Sequence, residues 1–208
     1  VQKNGKGTYN FSRTFPIGQD WSASGGISFW YYGRNTNKDI VVSLDNDAPI
    51  ASDPATWSLV RSDEFDGRPG LAPNASVWGQ EVGDGTVNGI PGWGNSELEY
   101  YTGGTNNVAT DGQGNLVITA KKADGSLMCY YGPCQYTSAR PLTKNRFEVA
   151  YGRVEARIKV PAGAGLWPAF WMLGTDIDQV NWPQTGEIDI MEYVGRVPNE
   201  IFGTLHGP

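Results

Sequence analysis

Residues 186–193 read Gly-Glu-Ile-Asp-Ile-Met-Glu-Tyr, with three carboxylates inside six residues and apolar side chains between them. In a β-strand successive side chains face opposite ways, so Glu187 and Asp189 share one face while Ile188 and Ile190 share the other. A regular strand would then place Met191 beside the acids and turn Glu192 into the apolar face. One extra residue, a β-bulge around Ile190 and Met191, returns Glu192 to the acid face, and bulges are common beside active sites. Neighbouring carboxylates in such a row stand about 6–7 Å apart at strand rise. A chain with this strand must build a sheet that packs one face and wets the other.

Three carboxylates held together disfavour full ionisation, so at least one should keep its proton to a higher pH than usual. Two carboxyl groups about 5–5.5 Å apart form the pair of a retaining glycosidase, one the nucleophile and the other the acid/base. Taken alone, the strand also fits a solvated acidic face or a calcium site. The surrounding residues weigh against those two readings.

Glycine (28) and proline (13) punctuate the 208 residues, and strand-like runs lie between their clusters. That pattern points to an all-β chain rich in turns. Residues 115–120 alternate, with Leu116, Ile118 and Ala120 expected inward. Residues 152–160 alternate most clearly, Val154, Ala156, Ile158 and Val160 against Arg153, Glu155, Arg157 and Lys159. One wet face of this kind suits an antiparallel sandwich. Along residues 166–174, period two puts Trp167, Ala169 and Trp171 on one face and Pro168, Phe170 and Met172 on the other. Both faces are apolar, which makes part of this strand core and leaves Trp167 or Trp171 as a sugar platform. Aromatic residues make up 12%, with 8 tryptophans, more than a core of this size needs. Surplus rings on a β surface suit the apolar C–H faces of sugars.

Lys and Arg number 16 against 22 Asp and Glu, a net charge of −6 with no basic cluster, which argues against nucleic acid as a partner. No apolar run approaches the roughly 20 residues that span a bilayer, so no membrane partner is expected. The glycine clusters are not followed by a helical pattern, which removes a phosphate-binding loop. The two cysteines, Cys129 and Cys134, cannot furnish a four-ligand zinc site unaided. A local disulfide across the intervening turn fits an oxidising, extracellular setting, and two free thiols are the alternative.

Residues 1–47 stand apart. An aromatic strand at 26–33 and a second strand at 40–44 suggest a hairpin. Too few to bury a core alone, they read as a partial β-sandwich segment similar to carbohydrate-binding modules, or as a strand pair packed on the next domain. Residues 48–56 form a polar linker, and residues 57–208 the next domain.

Across residues 57–208 a series of motifs resembles glycoside hydrolase family 16, in particular its bacterial endo-β-1,3-glucanase (laminarinase) branch. The series comprises residues 62–65 (Ser-Asp-Glu-Phe), 94–101 (Gly-Asn-Ser-Glu-Leu-Glu-Tyr-Tyr), 136–140 (Tyr-Thr-Ser-Ala-Arg) and 151–157 (Tyr-Gly-Arg-Val-Glu-Ala-Arg). The tryptophan run at 166–173, the acidic strand and residues 203–206 (Gly-Thr-Leu-His) complete it. The resemblance implies a jelly-roll β-sandwich of the concanavalin A-like kind. Substrate would lie along the concave face. Glu187 would be the nucleophile, Glu192 the acid/base, and Asp189 the group between them that tunes the pair. The extra residue before Glu192 matches the branches that cleave laminarin, agar and carrageenan. Asn95, Arg140, Trp167, Trp171 and His206 match cleft positions, Arg140 being open to a structural ion pair instead. His206 is the one histidine, so a hydrogen bond to substrate or to an acid is expected before metal ligation. Relatives often hold a structural calcium near the Asp-Glu-Phe segment, which makes Glu64 a candidate ligand. The chemistry itself requires no cofactor. Family domains run on well past residue 208, so the chain is expected to be a C-terminally truncated part of a longer secreted, monomeric enzyme acting on a β-glucan. The competing readings are a hydrolase of agar, carrageenan or mixed-linkage glucan, a non-catalytic β-glucan-binding protein on the same scaffold, and a calcium-dependent structural domain.

Overall fold

The structure, a computed structural model, describes residues 2–4, 8–10, 28–32, 42–43, 58–150 and 152–207. Backbone contacts divide the chain into one unit of Val1–Ser52 with Tyr151–Pro208 and another of Asp53–Ala150. In chain order, the strands of the first unit begin with β1 (Gln2–Asn4), β2 (Thr8–Asn10), β3 (Ser28–Tyr32) and β4 (Val42–Ser43). The other unit follows with β5 (Gly79–Glu81), β6 (Glu99–Tyr101), β7 (Val108–Thr110), β8 (Leu116–Ile118) and β9 (Lys121–Lys122). It ends with β10 (Met128–Cys129), β11 (Gly132–Pro133), β12 (Tyr136–Ser138) and β13 (Arg140–Leu142). The first unit resumes with β14 (Arg153–Val154), β15 (Ala169–Leu173), the short helix α1 (Ile177–Val180), β16 (Glu187–Glu192) and β17 (Glu200–His206).

In the unit of residues 53–150, β6 runs parallel to β12, which pairs antiparallel with β9. Strands β5 and β13 pair antiparallel, as do β7 and β8. Asn107 and Val108 are its most buried side chains. Asn107 Nδ2 donates to the Thr119 carbonyl at 2.7 Å and to Thr137 Oγ1 at 3.1 Å, and its Oδ1 accepts from Thr102 Oγ1 at 2.6 Å. A buried amide satisfied on both ends ties the segments after β6 and β8 to β12, where an unsatisfied one would cost about 1–3 kcal/mol. Cys129 and Cys134 form a disulfide across β10 and β11. Gly92, beside this hairpin, admits no side chain. Its φ is +59°, and a Cβ there would lie 2.9 Å from the Tyr130 ring and 3.1 Å from the Glu97 amide nitrogen.

In the other unit, β15, β16, β17 and β3 form one antiparallel sheet in that order. Strand β16 is interior to it, and Ile190, Met191 and Tyr193 are buried. The two strands expected to pair as an N-terminal hairpin take other partners: β3 pairs with β17 and β4 with β14. Among the described residues no helix is long and apolar enough to cross a membrane.

Two further expectations are corrected. The alternating run of residues 152–160 is strand only at Arg153–Val154, and residues 155–160 are not part of a ladder. Alternation specifies faces, whereas a strand exists only where a neighbour completes its hydrogen bonds. Within residues 115–120, strand β8 ends at Ile118, and both Val117 and Ile118 are exposed, as is Ala120. Of the face expected to turn inward, Leu116 is half-buried and Ile118 and Ala120 are exposed.

Candidate active site

The site is built from β16 and its two neighbours. Cross-strand partners in register share a face. Along β15, Leu173, Trp171 and Ala169 stand opposite Glu187, Asp189 and Glu192; along β17, His206, Thr204 and Phe202 do so. From Asp189 to Glu192 strand β16 advances three residues, while both neighbours advance two, and the register shifts at that point on both sides. This is a bulge, and it brings all three acids to one face. Met191 and Ile188 stay on the opposite face with Phe170 and Met172.

Asp189, the middle acid, is 5% exposed. His206 Nε2 and Asp189 Oδ2 are hydrogen-bonded at 3.0 Å, and the same nitrogen is 3.9 Å from Glu187 Oε1. Burial raises the Asp189 carboxyl most, and the charges of Glu187 and Glu192 raise it further, up to about 7 from an ordinary 3.8, against a smaller lowering by His206. The buried member of the trio therefore keeps its proton to a higher pH than an ordinary carboxyl and holds it below neutral pH. Glu192 accepts a hydrogen bond from Trp167 Nε1 at 3.0 Å on its Oε1. Glu187, Asp189 and His206 offer ligand atoms within 4.8 Å of one another. The histidine nitrogen in that group is the one engaged with Asp189.

Of the residues singled out in the sequence, Trp167, Trp171 and His206 thus lie with the three acids. Asn95, Arg140 and Glu64 belong to the other unit. There, Asn95 Nδ2 donates to Glu97 Oε1 at 3.2 Å. The Arg140 guanidinium lies 4.6 Å from the Trp93 ring centroid and 5.6 Å from that of Tyr101. The guanidinium thus stacks on two rings, a contact the sequence reading, which weighed a sugar contact against an ion pair, did not include. Glu64 is exposed, and its carbonyl oxygen and Asp66 Oδ1 lie 3.3 and 3.7 Å from where a Cβ on Gly114 would stand.

Sequence reasoning passed over Trp182. Its ring centroid is 5.7 Å from that of His206, and it is 55% exposed. The available signal was a tryptophan on the short approach to the acid strand, four residues before Gly186. Glu97 and Tyr101 were read as motif residues without a role of their own, because hydrogen bonds between them become visible only once β6 is placed.

The family model for glycosyl hydrolases family 16 matches residues 95–208, more than half of the chain. The chain belongs to that family. A β-glucanase of Rhodothermus marinus is 43% identical over 152 residues, covering 72% of this chain and 48% of the relative. Glucan endo-1,3-beta-glucosidase A1 of Niallia circulans is 38% identical over 176 residues, covering 81% of this chain and 24% of its own. The solved laminarinase catalytic domain of Thermotoga maritima superposes with a TM-score of 0.66 at 48% identity, over 73% of this chain and 57% of that one. The likeness shows the fold expected from the sequence, the family's jelly-roll β-sandwich. The chain spans about half the length, or less, of the curated relatives it matches.

Proposed function

We propose that this chain carries the catalytic strand of a retaining endo-β-1,3-glucanase. The observation that supports the reading most is the bulged strand, which sets Glu187 and Glu192 on one face about a buried, proton-holding Asp189. In the first step Glu192 gives its proton to the glycosidic oxygen as the bond to the anomeric carbon breaks. Glu187 attacks that carbon and forms a glycosyl ester. In the second step Glu192 takes a proton from water, the oxygen attacks the anomeric carbon, and Glu187 leaves as carboxylate. Two inversions give net retention.

The neighbours assign the protons. An indole N–H only donates, so Trp167 marks Glu192 Oε1 as an acceptor and leaves Oε2 to carry the transferable proton. A protonated Asp189 keeps the charge of the trio down, so that Glu187 can remain ionised for attack. Trp182 and Trp167, both exposed, offer apolar ring faces to the sugar chain.

The reading extends to setting and ions. The disulfide supports an enzyme acting outside the cell on an extracellular β-glucan, and thiol titration of the protein tests that setting: two free thiols would remove the support. A structural calcium would be held by the Glu64 carbonyl and the Asp66 carboxylate beside Gly114, an all-oxygen donor set that suits a hard cation. It would supply stability to that loop and take no part in the chemistry.

The experiment is hydrolysis of a linear β-1,3-glucan followed by NMR. Glu187→Gln should abolish turnover while binding persists, and the first product from the parent should be the β anomer. An α anomer first would overturn the double displacement. A panel of β-1,3-, mixed-linkage and algal polysaccharides tests the linkage, and preference for an algal galactan would overturn the glucanase assignment.

A further inference from the structure

Residues 93–101 and 140 form a network within the second unit that catalysis does not explain. Both oxygens of the half-buried Glu97 carboxylate are taken by neighbours: Oε1 accepts from Asn95 Nδ2 at 3.2 Å and Oε2 from the Tyr101 hydroxyl at 2.7 Å. Glu99 is hydrogen-bonded to Glu97 as well, and burial together with that bond and the Glu97 charge raises its carboxyl to about 7. Below that pH Glu99 is protonated and adds no second buried anion beside the Glu97 carboxylate. Tyr101 in turn lies 5.7 Å from Trp93 ring to ring, and Arg140 stacks over both rings.

Asn95 is exposed, and without a partner its carboxamide would rotate freely and present either end. The Glu97 carboxylate accepts and cannot donate, so it selects the nitrogen end of the amide. The oxygen end is then left to accept from an incoming hydroxyl. Tyr101 and Glu99 stop the carboxylate itself from turning. A sugar chain is a dense array of hydroxyl donors, so an acceptor of known orientation discriminates among their positions.

We propose that Glu97 is a positioning residue for polysaccharide binding, orienting the Asn95 carboxamide so that its oxygen accepts from a sugar hydroxyl. The proposal rests on the β-glucanase reading for the identity of the ligand. It does not rest on that reading for the Glu97–Asn95 hydrogen bond.

The test is a cycle of Glu97→Gln, Asn95→Ala and the double variant. KM and kcat are measured on a linear β-1,3-glucan, and binding of a β-1,3-linked glucose hexamer is measured calorimetrically in the Glu187→Gln background. Glutamine keeps the size but replaces one acceptor oxygen with a donor. Glu97→Gln should therefore raise KM and weaken hexamer binding about tenfold, with kcat changed less than about twofold. Because Glu97 acts through Asn95, the double variant should be no worse than Asn95→Ala alone. Unchanged KM in Glu97→Gln, or losses that multiply in the double variant, would overturn the proposal. Glu97→Asp, which retains the charge, should recover part of the affinity and covers the case in which Glu97→Gln does not fold. An intact Glu97→Asp with full loss of binding and no change at Asn95 would count against the inference. Side-chain amide NMR separates this proposal from the glucanase reading. If the parent neither binds nor cleaves β-glucan, the glucanase reading falls. The positioning role then stands or falls on whether the Asn95 amide signals shift in Glu97→Gln.

Discussion

Replacing Asp189 by asparagine should make the protein gain stability over the parent as pH rises, even while it damages hydrolysis. Asp189 is buried between Glu187 and Glu192, and burial and their charges raise its carboxyl from 3.8 to about 7. The folded state therefore keeps a proton between about pH 4 and pH 7 that the unfolded chain has already released. Stability is full below the unfolded value and is lost as pH rises through the folded one. At about 1.4 kcal/mol per pH unit, that rise amounts to a ceiling of about 4 kcal/mol. The amide of Asp189→Asn does not titrate, keeps nearly the same shape and can still hydrogen-bond His206. The stability of the variant minus that of the parent should thus widen by about 2–4 kcal/mol between pH 4 and pH 8. At about 2–4 °C per kcal/mol for a chain of this size, the two melting temperatures should separate by about 4–16 °C. Urea unfolding followed by tryptophan fluorescence at four pH values across that window measures it. Parallel pH profiles, or a variant that loses ground as pH rises, would refute the buried, proton-holding Asp189 and with it the charge assignment of the trio.

Two further outcomes follow from the other unit. Cys129 and Cys134 close a loop with a separation of five residues, and a cross-link that short contributes about 2 kcal/mol through the entropy of the unfolded chain. Cys129→Ser/Cys134→Ser should lose about that much in urea, and an unchanged midpoint would show that the 129–134 hairpin is held by its hydrogen bonds alone, Tyr130 N to Asp84 among them. If calcium sits beside Gly114, adding it to chelator-treated protein should raise the melting temperature. Asp66→Ala should abolish the rise and Glu64→Ala should not, because Glu64 offers its main-chain oxygen there. No rise in the parent would dismiss the ion.

Some of the site was legible because it depends on residues next to one another. Face parity is a local property of a strand, so the odd spacing between Asp189 and Glu192 already demanded a bulge, and the register on both flanks contains it. The same parity put Trp167 and Trp171 on one face and Phe170 and Met172 on the other, and the pairing of β15 with β16 decides that Trp171 stands on the acid side. Parity did not extend to residues 155–160, whose pattern is as regular as that of β16 but which form no strand. It also could not assign partners to the strands at 28–32 and 42–43, which join β17 and β14.

The sequence by itself determined the acids, the extra residue that gives them one face, and the family, all carried by short spacings and the order of motifs; it left the two cysteines open between a disulfide and free thiols, and the structure joins them. Tertiary structure alone decided which acid is buried, that His206 meets Asp189, that Trp167 caps Glu192, that Trp182 stands against His206, and that Glu97 holds Asn95 and Tyr101. Desolvation and hydrogen bonding depend on whatever the fold brings within a few ångströms, and the hydrogen-bond partner of Asp189 comes from β17, 17 residues further along the chain. Spacing along a strand can say that three carboxylates share a face. Which of them keeps its proton is set by the neighbours that exclude water from it.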